Sequence, residues 1–174
     1  MLLQKISKWA AAAMLSLAVL AIPGVLQAQQ AGDTVLKPAE MEKLLPARVY
    51  YRGQTATTQL RNSGGVKFAD GYYMLATLVD TSGYSTDVAT KYQAYLIAEV
   101  ALKVGGQDLP AGVYGVGFVG ENKFVVTDIG GHDLLTVSSG DDQGIKRPTP
   151  LQVVADPAGG FRLYAGRRYI LFSR

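Results

Sequence analysis

The sequence predicts a mainly β protein: an antiparallel sandwich or barrel of about nine or ten short strands, with a short N-terminal helix. Three observations carry that expectation. Glycine, twenty of 174 residues, punctuates the chain from Arg48 onward. Between the glycines, apolar residues recur with a period of two. No strand–helix alternation suggests a parallel sheet, and there is no internal repeat.

Residues 1–28 have the composition of a Sec-type signal peptide. Lys5 and Lys8 precede the apolar run Trp9–Ile22, which Pro23-Gly24 breaks, and Val25-Leu26-Gln27-Ala28 ends at a small residue. The run is shorter than the roughly 20 residues a membrane-spanning helix needs, which weighs against an uncleaved anchor. The absence of cysteine at the cut excludes a lipid anchor. The expected location is periplasmic or extracellular.

Without Lys5 and Lys8, fifteen basic residues face fourteen acidic ones. The charges are interspersed, with no basic face of the kind a nucleic-acid binder needs. Arg162, Arg167, Arg168 and Arg174 are a local excess, but strand alternation scatters them over two faces. No later segment is long and apolar enough to span a bilayer. The remaining 146 residues suffice for one domain, and with no cysteine an apolar core must hold it.

Residues 29–47 comprise a lead-in, Gln29 to Lys37, and a short helix over Pro38–Leu45. Proline suits its first turn, Glu40 and Glu42 its positive end, and Met41, Leu44 and Leu45 fall on one face. Residues 48–174 form the β domain. Arg48 to Arg61 is extended, and Asn62-Ser63-Gly64-Gly65 is expected to turn the chain into Val66–Phe68. Asp70-Gly71 is a second tight-turn signal. Tyr72 to Val79 is nearly all apolar, a strand covered on both faces. Asp80 to Lys91 is a polar connection with room for one helical turn. From Tyr92 to Val104, Leu96, Ala98, Val100, Leu102 and Val104 share one face. Residues 105–112 read as a loop, and Tyr114, Val116 and Phe118 as one strand face opposite Gly115 and Gly117. Five further strands follow, over 123–129, 133–138, 151–155, 161–165 and 168–173.

The stretch Val100-Ala-Leu-Lys-Val-Gly-Gly-Gln-Asp-Leu-Pro-Ala-Gly-Val-Tyr114 resembles a pattern common in small exported bacterial proteins of unassigned function, many from soil bacteria. Leu78-Val-Asp-Thr-Ser-Gly-Tyr84 and the ending Arg162-Leu-Tyr-Ala-Gly-Arg-Arg-Tyr169 extend the resemblance. It implies export and a β fold and brings no catalytic residue. Pro110 fixes its backbone angle and Gly112 permits one that most residues avoid, which makes a rigid link between strands.

No residues meet the requirements of a catalytic, metal or cofactor site. Gly115-Val-Gly-Phe-Val-Gly120 has the letters of a dinucleotide loop but lacks the helix that must follow; glycines on one strand face rather admit an aromatic ring or another backbone. His132, the single histidine, would need a nucleophile such as Ser138 or Ser139 beside it. Asp141-Asp142 lacks the alternating ligands of a calcium loop. Glu99 with Asp80 or Asp128 is a conceivable glycosidase pair. Ten tyrosines are the most suggestive feature, since each joins an apolar ring to a polar tip. Tyr84, Tyr73, Tyr95 and His132 are the candidate ligand contacts, with Tyr84 expected to be exposed. The leading expectation is a non-enzymatic exported domain with a binding or envelope role, its partner a small apolar ligand, a glycan or an envelope protein. A carrier barrel for an apolar ligand and a hydrolase using His132 or a carboxylate pair are the alternatives.

Overall fold

The computed structural model describes residues 32–174; the expected signal segment, 1–28, lies outside the described residues. The described residues form β1 (Thr34–Leu36), α1 (Pro38–Leu44), β2 (Arg48–Tyr51), β3 (Gln54–Lys67), β4 (Tyr73–Val79), α2 (Thr86–Lys91), β5 (Ala94–Ala98), β6 (Leu102–Val104) and β7 (Gln107–Leu109). They continue with β8 (Gly112–Val119), β9 (Lys123–Thr127), β10 (Asp133–Ser138), β11 (Gly140–Asp141), β12 (Gln152–Ala155), β13 (Phe161–Ala165) and β14 (Arg168–Ser173). The fold is mainly β, with fourteen strands rather than nine or ten. Short strands inside segments that read as loops, namely β1 in the lead-in, β7 in 105–112 and β11 after Ser139, account for three of the extra strands, and the division of 92–104 into β5 and β6 adds another.

All pairings are antiparallel and make two sheets. The first runs β1-β3-β4-β5-β8-β9-β10, with β2 also paired to β3. The second runs β12-β13-β14-β6-β7, with β11 also on β14. The two face each other across one apolar core. Val66, Met74, Leu96, Val116, Phe124 and Val126 from the first sheet meet Leu102, Val104, Leu163, Ile170 and Phe172 from the second.

The other face of the first sheet is covered too. Met41 and Leu45 of the α1 segment pack with Leu36 and Leu75 over β4, while Leu44 is exposed instead of joining them. Farther along, α2 and the β2–β3 hairpin cover Val79 and Tyr95. This is why β4 reads as apolar on both faces: Met74 and Ala76 enter the inter-sheet core, and Leu75 and Val79 the outer layer.

Three turns depart from the sequence expectation. The stretch Arg48–Arg61 is not one extended piece, because Arg52 and Gly53, at φ 48° and 80°, reverse it as a two-residue hairpin. Asn62–Gly65 does not turn at all. β3 passes through it, with an irregularity between Gln59 and Ser63 that takes Leu60, Arg61 and Asn62 out of register with β4. The alternation over 92–104 predicts burial correctly but spans two strands. After Ala98 the chain leaves the first sheet, and Leu102 and Val104 enter the same core from the second.

The hairpin β6–β7 turns at Gly105-Gly106 (φ 55° and 83°), and Pro110-Ala111 return the chain to the first sheet. The Tyr114 hydroxyl donates to the Pro110 carbonyl at 2.8 Å. A Cβ on Gly112 would lie 2.8 Å from that hydroxyl, so the glycine leaves room for the ring that pins the crossover. The Leu-Pro-Ala-Gly-x-Tyr stretch is thus a strand crossover clasped by its own tyrosine.

The four C-terminal arginines are spent on structure. Arg168 donates to the Phe118 and Gly120 carbonyls, at 3.0 and 3.1 Å, tying the second sheet to the β8–β9 turn of the first. Arg174 pairs with Asp70 at 2.5 Å, closing the C-terminus onto the β3–β4 turn. Arg162 holds the nearly buried Asp156, and Arg167 donates to the Ile145 carbonyl.

Candidate functional site

The sequence-predicted tyrosines lie on the outer side of the first sheet but in different clusters. Tyr84 is half-buried, not an exposed contact: its hydroxyl donates to the Tyr51 carbonyl at 3.0 Å, and its ring stands edge-on to Tyr51 and Tyr92. Tyr95 is buried in the same outer cluster. Burial raises the Tyr84 and Tyr95 hydroxyl pKa values above the ordinary tyrosine value. Tyr73 is half-buried at the far end of β4, beneath the Lys67 ammonium. These residues do not converge on a shared cleft. Rather, Tyr51 and Tyr92 stack at 3.8 Å between centroids, and the Tyr51 hydroxyl meets Thr127 Oγ1 at 2.7 Å, which in turn donates to the Gly115 carbonyl.

Gly115 and Gly117 belong to this layer. A Cβ on Gly115 would lie 2.6 Å from the Tyr51 ring and 3.0 Å from Tyr92, and one on Gly117 would lie 2.9 Å from the Lys91 carbonyl carbon at the end of α2. The glycines admit rings and backbone, and β8 runs on into β9 without the helix a nucleotide loop needs.

His132 sits in the β9–β10 turn with its side chain exposed, its Nδ1 2.9 Å from Asp128 Oδ2. The Asp128 carboxyl also accepts from the His132 backbone amide at 2.9 Å. Those bonds hold the carboxyl below the usual carboxylate range. Asp133 pairs with Thr127 and Ser138 with Lys123, so Ser138 lies at the opposite end of the hairpin, roughly 17 Å along the strand at about 3.3 Å per residue. No triad can form from them. Glu99 accepts from the Tyr73 amide at one end of β4, while Asp80 follows the other end, roughly 20 Å away by the same spacing. Asp128 is two strands from Glu99 and three residues out of step, about 14 Å off. Glycosidase carboxyls stand about 5–9.5 Å apart, so neither pairing fits. Asp142 accepts from the Gly144 amide and the Tyr164 hydroxyl, as a turn residue does. Among the described residues no group of three or more His, Cys, Asp or Glu is placed to hold a metal ion.

The open spaces lie elsewhere. Two apolar cavities between the sheets have volumes of about 10 Å³ each, room for one water. Larger clefts open on the surface. One of 310 Å³ lies beside Asp156 and Leu171. One of 340 Å³ lies beside Ser139 and Tyr169, where the Ser139 hydroxyl is buried without a hydrogen-bond partner. A third, also of 340 Å³, lies at the corner where the two sheets meet.

The corner cleft is built by features that sequence reasoning assigned to a turn. Gly64 lets β3 press against β12: a Cβ there would lie 2.7 Å from the Val153 amide nitrogen. Immediately before it, the out-of-register residues of β3 are folded on themselves. Ser63 Oγ donates to the Leu60 carbonyl and Asn62 Nδ2 to Gln59 Oε1. The excursion projects Arg61 and Asn62 along one wall, and Thr149, Pro150 and Gln152 form the facing wall from the second sheet. Val35, Leu36, Leu151 and Val153 supply apolar lining, and Lys37 and Pro38 close the end. The volume is at the low end of the ligand-pocket range, about 300–1,000 Å³, and an apolar surface with a few convergent polar groups is the usual character of such pockets. The signal that could have found it is Gly64-Gly65 within a strand, which marks a bulge or a close backbone approach as readily as a turn.

Comparisons of this chain with protein-family models, with curated proteins and with solved structures find no match. Among the described residues no helix is long and apolar enough to cross a membrane.

Proposed function

We propose that this chain is an exported, non-enzymatic β-sandwich domain that binds a small ligand in the cleft between the β3 bulge and the start of β12. The observation that carries this reading is the 340 Å³ cleft, in which an apolar surface meets hydrogen-bonding side chains from both sheets. Export is supported by the basic, apolar and small-residue succession of residues 1–28 and by the resemblance of residues 100–114 to small exported bacterial proteins. A ligand carried between the sheets would need hundreds of cubic ångströms, and the cavities there hold about 10 Å³. Hydrolysis would need Ser138 or Ser139 beside His132, or Asp80 or Asp128 beside Glu99, and the strand registers hold these pairs apart.

Native mass spectrometry of the protein recovered from its own source tests both halves. The expected spectrum is a chain beginning near Gln29 that carries an added small-molecule mass, lost in an Asn62→Trp variant that fills the cleft. A chain retaining residues 1–28 would overturn export. An added mass that survives Asn62→Trp, or no added mass in any preparation, would overturn the cleft.

A further inference from the structure

The corner cleft carries a charge asymmetry that points to the kind of molecule it takes. Both ionisable side chains that line it are basic: Arg61 on the β3 bulge and Lys37 at the end of β1. No carboxylate lines it. The nearest acid in sequence, Glu40, has its carboxylate on the Lys37 backbone amide at 2.8 Å, turned to the first turn of α1. Five of the six salt bridges among the described residues join a lysine or arginine to an aspartate, and Arg61 and Lys37 are in none. The contrast with the C-terminal arginines is direct, since those are committed to carbonyls and aspartates of the fold. The guanidinium of Arg61 offers paired donors to a carboxylate or phosphate, and Lys37 a point charge. Asn62 and Gln152 stand beside them with amide donors, over an apolar lining from Val35, Leu36, Leu151 and Val153.

We infer that the cleft binds a small organic anion, with its carboxylate or phosphate between Arg61 and Lys37 and a short apolar body against Leu36, Leu151 and Val153. This rests on the cleft being the binding site and specifies its ligand class. The bulge then has a purpose beyond closing the corner: it takes Arg61 out of register with β4 and leaves it in the lining of the cleft.

The test is a titration of the isotopically labelled protein, followed by amide NMR, with four probes sharing one hexyl chain: hexanoate, hexyl phosphate, hexanol and hexylamine. Hexanoate or hexyl phosphate is expected to shift the amides of residues 35–37, 61–64 and 151–153, at least tenfold more tightly than hexanol or hexylamine. Which of the two anions binds better assigns the headgroup. Arg61→Gln and Lys37→Gln are each expected to weaken anion binding about two- to fivefold, the scale of one solvated ion pair, and added salt to weaken it further. Arg48→Gln, on an exposed arginine outside the cleft, leaves it unchanged. Lys37 precedes α1 and Arg61 lies outside the ladder, so the two variants report independently should one perturb the fold. Equal binding of hexylamine or hexanol at these amides overturns the anion inference while leaving the cleft as a binding site. Shifts confined to other residues, or no binding of either anion, also overturn it, and the retained-ligand measurement then decides the cleft separately.

Discussion

The two faces of the first sheet solve the same packing problem with different chemistry. The inner face meets the second sheet through Met74, Leu96, Val116, Phe124 and Val126, with no gap larger than about 10 Å³ in its two cavities. The outer face is covered by α2 and the β2–β3 hairpin, where Tyr51, Tyr84 and Tyr92 pack with Tyr95 of β5. Each of these brings a hydroxyl that must find a partner or go without. An apolar interior tolerates no missing volume, whereas the tyrosine layer is sensitive to charge and to the space its glycines leave. The difference teaches that period-two burial identifies both faces of a sheet without revealing what each will tolerate.

The comparison breaks most severely at the inner face. Phe124→Ala removes a fully buried ring packed edge-on to Phe118 and is expected to lower stability by about 3–5 kcal/mol, measured by urea unfolding. Gly117→Ala attacks the outer layer without removing anything. Its methyl would press on the Lys91 carbonyl, with an expected cost of about 1–3 kcal/mol and a displaced α2. A fall smaller than that of an exposed substitution would show that α2 is only loosely seated.

Alkaline pH separates the layers next. Burial, aided by neighbouring Tyr84, Tyr95 and Tyr51, pushes the Tyr92 hydroxyl well above the ordinary value, and burial raises Tyr84 and Tyr95 as well. A tyrosine whose folded pKa is raised contributes its stability fully below the unfolded value of about 10, and that contribution is lost as pH climbs through the folded value. Stability should therefore be flat to about pH 9 and fall above 10, with tyrosinate absorbance rising as α2 is released. A chain equally stable at both ends of that range would place the tyrosines in solvent.

The smallest effect sharpens the contrast. Tyr92 is fully buried, and its hydroxyl has no hydrogen-bond partner. Tyr92→Phe keeps the ring stacked on Tyr51 and removes an unsatisfied group, so stability should stay level or rise by up to about 1 kcal/mol. Tyr51→Phe, which strips a partner from Thr127, should lose about 1 kcal/mol. Reversal of this order in thermal unfolding would mean that the Tyr92 hydroxyl is the one that is bonded.

Much of the strand content was legible because it depends on alternation and turns. Asp70-Gly71, Gly130-Gly131, the Asp156–Gly160 turn and the three C-terminal strands stand where local sequence places them. The crossover after Ala98 was not legible. Leu96, Ala98, Leu102 and Val104 alternate without a break because both sheets feed one core, so a change of sheet leaves no mark on the hydrophobic period. The corner cleft was hidden for a related reason. Gly64-Gly65 permits a turn as well as a close approach, and only Val153 on the far side decides between them.

By itself the sequence determined the alternating burial, the glycine hinges and a disulfide-free apolar core, because each follows from the chemistry of adjacent residues. Tertiary structure alone decided which tyrosines are interior, which arginines are committed to carbonyls and aspartates, and where two basic side chains face a cleft. Those are relations between residues far apart in the chain, as Arg168 and Phe118 are, and no local pattern encodes the distance across a fold.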